Sequence, residues 1–217
     1  MQDRKYILFD LDGTLSDPGE GIINSLIYAL KHFSIEGDPQ ILRTFIGPPL
    51  VDSFQEQFGF DAEQTAEAIR IYRQHFHDHG LFKNVIYPGI PELLQDLTKD
   101  GKTLAIATTK PTVYALQILE YFKIDHFFQE ELVVGSFLDG RRTNKGELIS
   151  TLLERLGGKT HDKVMVGDRK FDILGAKANG IDVIGVTYGY GEREEIEALE
   201  PTAIAESVDE LRELLLD

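Results

Sequence analysis

The chain has 217 residues, enough for one substantial hydrophobic core or for a core with a small inserted domain. Its 42% hydrophobic and 27% charged residues are typical of a globular protein, and no apolar run of about eighteen residues predicts a membrane span. The absence of cysteine excludes disulfides and thiolate metal sites, and the net charge of −15 opposes contact with a nucleic-acid backbone. The first residues lack the apolar segment of a signal peptide. We expect a cytoplasmic protein that binds neither a nucleic acid polymer nor a membrane.

The first predicted element is a short apolar strand that runs directly into acidic residues. Residues 6–9 predict a buried strand, and Asp10, Asp12, Gly13 and Thr14 follow it. Carboxylates buried at the end of a core strand are costly unless a metal ion or a cationic group compensates them. The pattern therefore suggests a site, although Asp and Gly are also common in surface turns.

The next part of the chain has helical spacing. Apolar residues recur every three or four positions in residues 21–33, and further helices are predicted around residues 50–58 and 62–79. The loop 44–49 separates them, because its paired prolines cannot lie inside a helix. No strand is predicted between residues 16 and about 81, which indicates an all-α insert.

From Tyr87 onward, apolar strands alternate with helices. The predicted strands are 103–107, 132–134, 163–166 and 183–186, and the predicted helices are 90–99, 112–122, 145–156, 171–179 and 209–215. This alternation predicts parallel strands that are buried on both faces. The predicted fold class is α/β, with a doubly wound, Rossmann-like, mainly parallel sheet. Residues 1–15 and 82–217 would form this core, and residues 16–81 the inserted helical domain.

Polar residues follow the predicted strands at their carboxyl ends, where sheets of this kind bind ligands. They are Asp10, Asp12, Thr108, Thr109, Lys110, Lys145, Asp168, Arg169, Lys170 and Asp172. Because these strand ends share one edge of the sheet, we expect the side chains to gather in a common crevice.

These patterns resemble the four motifs of the haloacid dehalogenase superfamily of phosphohydrolases, in the expected order along the whole chain. The motifs are Asp10-Leu11-Asp12-Gly13-Thr14-Leu15, Thr108 at a strand end, Lys145, and Gly167-Asp168-Arg169-Lys170-Phe171-Asp172. The insert takes the position of the helical cap in phosphoglycolate phosphatase-like members. Residues 45–50 look like the cap loop of the phosphoglycolate phosphatase and 5′-nucleotidase-like branch.

The resemblance implies a phosphatase that works through a covalent aspartyl-phosphate. Asp10 would be the nucleophile, and Asp12 would protonate the leaving alcohol and then activate water. Thr108 and Lys145 would bind the phosphoryl oxygens. As alternatives, Lys145 could be a solvated surface lysine and Thr108 an ordinary β-branched strand residue.

The same resemblance implies a Mg²⁺ cofactor. Its ligands would be the carboxylates of Asp10 and Asp168 and the backbone carbonyl of Asp12. Asp172 would hold a metal-bound water or orient Lys145, and whether it ligates the metal directly is left open. A charge placed to interact with the helix dipole is the simpler interpretation of Asp172.

The substrate is less well determined by the sequence. The candidates to contact a small phosphomonoester are Arg43 in the cap and Thr109 and Lys110 in the core. Arg43 and Lys110 could each also be a solvated charge. Phosphoglycolate and nucleoside 5′-monophosphates both fit. A phosphomutase-type phosphotransferase acting on a sugar phosphate, and a non-enzymatic phosphate-binding protein of the same fold, are the alternative functions. The sequence predicts neither the oligomeric state nor the regulation.

Two further patterns are interpreted as structural. His75, His77 and His79 alternate near a helix end, and residues two apart do not share a helix face, so we expect surface histidines rather than a metal site. Residues 188–191, Tyr-Gly-Tyr-Gly, follow a strand without a phosphate-loop pattern and predict a turn near the rim of the site.

Overall fold

The structure is a computed structural model that describes residues 3–216. Its strands in chain order are β1 (Tyr6–Phe9), β2 (Ser16–Asp17), β3 (Val85–Ile86), β4 (Thr103–Pro111), β5 (Phe128–Ser136), β6 (Lys163–Gly167), β7 (Asp182–Val186) and β8 (Ala203–Ala205). Its helices are α1 (Gly19–His32), α2 (Pro39–Arg43), α3 (Leu50–Phe58), α4 (Ala62–His75), α5 (Ile90–Lys99), α6 (Thr112–Tyr121), α7 (Lys145–Leu156), α8 (Lys170–Ala178), α9 (Arg193–Glu197) and α10 (Val208–Leu216). The chain divides into two compact units: Pro18–Val85, called the helical unit below, and the described residues on either side of it, called the α/β unit.

The α/β unit is built on a six-stranded sheet in the order β5-β4-β1-β6-β7-β8, and its neighbouring strands pair in parallel. In β1, the successive residues Ile7, Leu8 and Phe9 are all fully buried. Because successive strand residues point to opposite faces, both faces of the sheet are covered. The predicted doubly wound α/β fold is confirmed.

The register of the central strands aligns the end of β1 with residues of its two neighbours. Phe9, the last residue of β1, lies opposite Ile106 of β4 on one side and Val166 of β6 on the other. The next residues along these three strands therefore emerge at the same edge of the sheet. This edge is where the acidic motifs were predicted to meet.

Two strand predictions need correction. The strand predicted over residues 103–107 continues as β4 to Pro111, so Thr108, Thr109 and Lys110 lie inside a strand rather than after one. It continues because β5 is also longer than predicted, and Pro111 pairs with Ser136 beyond a register shift. The two-residue strand β2 begins at Ser16, within the region for which no strand was predicted. Two residues are too few to show a strand pattern.

The helical unit is stabilised by contacts between aromatic side chains and by the capping of a helix N-terminus. Phe54 stacks on Phe60 with ring centroids 5.8 Å apart and also packs edge-on against Phe45 at 5.4 Å. Asp61 begins α4 with a reciprocal capping box, in which its carboxylate accepts from the Gln64 N–H. The helix predicted over residues 62–79 ends as an α-helix at His75 and continues as one π-helical turn, Phe76–Gly80. Among the described residues, no helix combines the length and apolarity needed to cross a bilayer.

Candidate active site

Asp10 lies at the carboxyl end of β1 in a buried position. Its side chain is 5% exposed, and its two oxygens have different partners. Oδ1 accepts a hydrogen bond from the Leu11 N–H at 2.7 Å, and Oδ2 lies 2.9 Å from the Lys145 ammonium. A backbone donor and a cation therefore compensate this buried carboxyl group for its loss of contact with water.

Lys145, the first residue of α7, is the central cation of the site. Its Nζ lies 2.9 Å from Asp10, 2.8 Å from Asp172 and 2.9 Å from the Ala107 carbonyl oxygen to which it donates. Burial alone would lower the pKa of Lys145, but the Asp10 and Asp172 carboxylates raise it above its ordinary value. Lys145 is thus a buried, charged ammonium and not a solvated surface lysine.

Asp12 forms a second buried ion pair, with Lys110. The Lys110 Nζ lies 2.7 Å from Asp12 Oδ2, and the Lys110 side chain is 5% exposed, so Lys110 is not a solvated charge. Burial raises the pKa of Asp12, and Lys110 opposes that rise. Asp12 Oδ1 is buried and has no hydrogen-bond partner among the described residues. A buried carboxyl group with a raised pKa is a candidate for proton transfer.

Asp168 follows β6 and has a partner for each carboxylate oxygen. The Thr14 hydroxyl donates to Oδ1 at 3.2 Å, and the Tyr190 N–H donates to Oδ2 at 2.8 Å. Burial, together with the nearby charges of Asp172 and Asp10, raises the pKa of Asp168 to about 8. Gly13 has a φ of +84°, and a Cβ at this position would overlap the Asp168 carboxylate. Glycine is therefore required here on both counts.

Asp172 lies in the first turn of α8, fully buried. It contacts Lys145, and its Oδ2 accepts from the Arg169 N–H at 3.0 Å, which caps the helix. Burial raises the pKa of Asp172 to about 6, against the opposing effect of Lys145. Both predicted interpretations, a helix-end charge and a partner that orients Lys145, describe contacts that the structure contains.

The acidic residues fit a divalent cation. Asp10, Asp168 and Asp172 are buried, and each offers a carboxylate oxygen such that these atoms lie within 4.8 Å of one another. Asp10, Asp12 and Asp172 form ion pairs with Lys145 or Lys110, whereas Asp168 accepts from the neutral donors named above. Buried carboxylate oxygens are hard donors, and such donors suit Mg²⁺. The Asp12 carbonyl as a ligand stays a prediction.

Three predicted substrate contacts lie in different surroundings. Thr108 is buried, and its Oγ1 accepts from the Lys110 N–H at 3.2 Å. Thr109 is half-buried, and its carbonyl accepts from the Ser136 hydroxyl at 2.7 Å. Arg43 ends α2 in the helical unit and is exposed. Their roles toward a substrate stay predictions.

Thr14 and Tyr190 hold Asp168, a role that was not predicted for either residue. The contact of Tyr190 comes from its backbone N–H, which no side-chain pattern can reveal. Glycines on both sides of Tyr190, at the end of a strand, were the available signal for a close approach of the backbone.

Among the histidines, His77 and His79 are exposed as predicted. The prediction is wrong for His75, which stacks on Tyr28 with ring centroids 4.3 Å apart and lies 3.0 Å from the Ser25 hydroxyl. Burial lowers the pKa of His75. Among the described residues, the histidines belong to no cluster of three metal-ligating groups.

Two relatives are similar in sequence to almost the whole chain. A 5′-nucleotidase from Pseudomonas aeruginosa is 46% identical over 210 residues, which are 96% of this chain and 94% of the relative. The tyrosine-protein kinase PtkA from Mycobacterium tuberculosis is 38% identical over 216 residues, which are 97% of this chain and 72% of the relative.

A solved structure and a family model agree with this similarity. The structure of a "predicted phosphatase" from Clostridium acetobutylicum superposes with a TM-score of 0.92 at 45% identity, covering 96% of each chain. Residues 7–186 match the model of the haloacid dehalogenase-like hydrolases. The family predicted from the sequence is thereby confirmed: the chain belongs to the haloacid dehalogenase-like hydrolase family.

Proposed function

We propose that this chain is a Mg²⁺-dependent phosphatase that hydrolyses small phosphomonoesters through an aspartyl-phosphate on Asp10. The observation that carries the proposal is the buried Lys145 ammonium, which bridges Asp10 and Asp172 at the carboxyl ends of the central strands. It places a positive charge beside the Asp10 carboxyl group, where phosphoryl oxygens would bind. Asp12, paired with Lys110, supplies a second carboxyl group for proton transfer.

The proposed reaction has two displacements at phosphorus. In the first, an Asp10 carboxylate oxygen bonds to phosphorus while the bond to the leaving alcohol oxygen breaks, and Asp12 gives its proton to that oxygen. In the second, Asp12 takes a proton from a water molecule whose oxygen attacks the phosphoryl group. This releases inorganic phosphate and regenerates the Asp10 carboxylate. The raised pKa of Asp12 suits both of its roles.

Charge stabilisation comes from donors that are already in place. Lys145 would attract the phosphoryl oxygens by its charge, and the Thr108 hydroxyl would bind one of them. Lys145 is held in place by its three contacts before any substrate arrives. Mg²⁺, held by Asp10 and Asp168 with the Asp12 carbonyl, would supply the positive charge that offsets the phosphate and the surrounding acids. The contact between Asp172 and Lys145 favours an orienting role for Asp172 over direct ligation.

Two substrate types follow from the resemblance, phosphoglycolate and nucleoside 5′-monophosphates. The name of the Pseudomonas relative favours the nucleotides. We further propose that the helical unit acts as a cap that excludes water during the reaction, with Arg43 as its contact to the leaving group. Lys110 is engaged with Asp12, so we assign it to proton transfer first and to substrate contact second.

A phosphotransferase is the second candidate, and the mycobacterial relative that bears a kinase name is the observation that favours it. In this alternative the phosphoryl group on Asp10 passes to an acceptor hydroxyl, such as that of a sugar phosphate, instead of to water. Free phosphate and isomerised sugar phosphate, measured in the same reaction, separate the two functions.

The experiment is a screen of small phosphomonoesters with and without Mg²⁺, measuring phosphate release. We expect turnover that requires Mg²⁺ and that Asp10→Asn lowers by at least about a thousandfold, because the substituted amide is not a nucleophile. Asp139→Asn makes the same chemical change at an exposed position and serves as the matched control. Unchanged turnover in Asp10→Asn would refute the mechanism.

A further inference from the structure

The segment Thr187–Gly191, called the tyrosine loop here, follows the carboxyl end of β7 and makes several contacts beside the site. The Tyr190 N–H donates to Asp168 Oδ2 at 2.8 Å, and the Tyr190 hydroxyl donates to the Asp17 carboxylate. The Tyr188 hydroxyl donates to the Thr14 carbonyl oxygen at 3.1 Å. One short loop therefore contacts a candidate metal ligand and the segment that follows β1.

The same loop reaches both places where the chain passes between the α/β unit and the helical unit. Asp17 is the last residue of the α/β unit before the helical unit begins, and the chain returns at Ile86. Tyr87, the next residue, donates its N–H to the Leu15 carbonyl at 3.1 Å and packs edge-on against Tyr188, with ring centroids 5.2 Å apart. The outgoing connection is thus held by Tyr190 and the returning one by Tyr188.

This close approach depends on the glycine between the two tyrosines. A Cβ at Gly189 would overlap the Gly13 carbonyl oxygen and the Asp168 carboxylate. The loop backbone therefore packs directly on the first motif and on Asp168, with no side chain between them. A contact made by the backbone fixes the position of a carboxylate more tightly than a contact made by a long side chain. Less conformational entropy is lost when the backbone contact forms.

We propose that the tyrosine loop positions Asp168 and both connections together, with a different role for each tyrosine. Tyr188 holds the Thr14 carbonyl, and the Thr14 hydroxyl in turn holds Asp168 Oδ1, so Tyr188 acts on metal binding through Thr14. Tyr190 holds Asp17 by its hydroxyl, so its side chain acts on the outgoing connection and not on the metal. Both are positioning residues, and the effects on turnover rest on the phosphatase function proposed above.

Two single-oxygen deletions test this division of roles. Tyr188→Phe and Tyr190→Phe each keep the ring and the backbone N–H and remove only the hydroxyl. The measurement is a calorimetric titration of metal-free protein with Mg²⁺ in the absence of substrate. The Mg²⁺ affinity should fall about tenfold in Tyr188→Phe, because residues that hold a metal ligand in place affect the affinity to that degree. It should change less than about twofold in Tyr190→Phe. At saturating Mg²⁺, Tyr190→Phe should raise KM several-fold, because the outgoing connection loses the hydrogen bond that holds Asp17.

Hydrogen exchange gives a readout that is independent of turnover. The amides of residues 15–17 should exchange faster in Tyr190→Phe than in the wild type. They should be unchanged in Tyr121→Phe, the matched deletion at an exposed tyrosine of α6. Wild-type Mg²⁺ affinity in Tyr188→Phe would overturn the role of Tyr188, and so would a wild-type protein that binds no Mg²⁺. Equal losses of Mg²⁺ affinity in both variants, with parallel falls in melting temperature, would show a merely structural loop. If no substrate releases phosphate, the proposed function fails, whereas the titration and the exchange experiment still decide the roles of the loop.

Discussion

The α/β unit has buried ion pairs at the candidate site besides exposed pairs elsewhere, whereas the helical unit has the exposed pairs of Arg70 with Glu67 and of Lys83 with Glu20. In the α/β unit, the ion pairs of Lys145 with Asp10 and Asp172 have side chains that are 0–5% exposed. In the helical unit, the pair of Arg70 with Glu67 has side chains that are 66% and 38% exposed. Buried charges interact strongly and must be compensated, whereas exposed pairs contribute little to stability. The buried and compensated charges of the candidate site therefore lie in the α/β unit, and the exposed pair of Arg70 with Glu67 lies in the helical unit.

The largest expected effect comes from removing one buried charge. Lys145→Met should lower turnover by about a thousandfold or more. The substitution removes a cation that would bind the phosphoryl group, and it leaves Asp10 and Asp172 without their positively charged partner. It should also destabilise the fold by about 3–5 kcal/mol, the usual cost of breaking a buried pair. Lys31→Met, at an exposed lysine of α1, is the control and should change stability by less than about 0.5 kcal/mol. Denaturant unfolding and phosphate release measure both effects. Similar effects of the two substitutions would remove the contrast between the units.

The pH dependence of stability should also divide the units. Folded Asp168 has a pKa of about 8, against an ordinary value of 3.8, so between these values the folded metal-free protein binds one proton more than the unfolded chain. Stability should therefore fall as pH rises from about 4 to 8, by at most about 1.4 kcal/mol per pH unit from this group.

Mg²⁺ should reverse this fall, because the cation replaces the proton on Asp168. The rise in melting temperature on adding Mg²⁺ should be larger at pH 8 than at pH 6, and Asp168→Asn should lose most of that difference. Asp52→Asn, an exposed position of α3, should keep the wild-type difference. An effect of Mg²⁺ that is the same at both pH values would show that Asp168 does not exchange its proton for the metal.

The sequence predicted the framework of this site better than its internal contacts. Asp10, Lys145 and Asp168 could be placed together because each stands where a predicted parallel strand or helix meets one sheet edge. The ion pair between Lys110 and Asp12 could not be predicted in this way. It depends on the extension of β4 beyond the apolar residues from which the strand was predicted. The short elements β8 and α9 were missed for a related reason, since three and five residues carry too little periodicity. Contacts made by backbone donors leave no signal in side-chain patterns.

The smallest expected effect concerns the helical unit and the choice of substrate. If Arg43 contacts the leaving group, Arg43→Gln should raise KM about tenfold for the preferred phosphomonoester, the loss expected from one charge-assisted hydrogen bond, and change kcat less than about threefold. Its stability should equal that of the wild type, because Arg43 is exposed at the end of α2. Arg70→Gln removes an equally charged side chain from the same unit and should change neither constant. Steady-state kinetics on p-nitrophenyl phosphate, whose aryl group has no ionised substituent in the bound substrate, should show little effect of either substitution. A uniform loss on every substrate would move Arg43 from recognition of the leaving group to a general role in the reaction, and would weaken the separation of chemistry from selectivity between the two units.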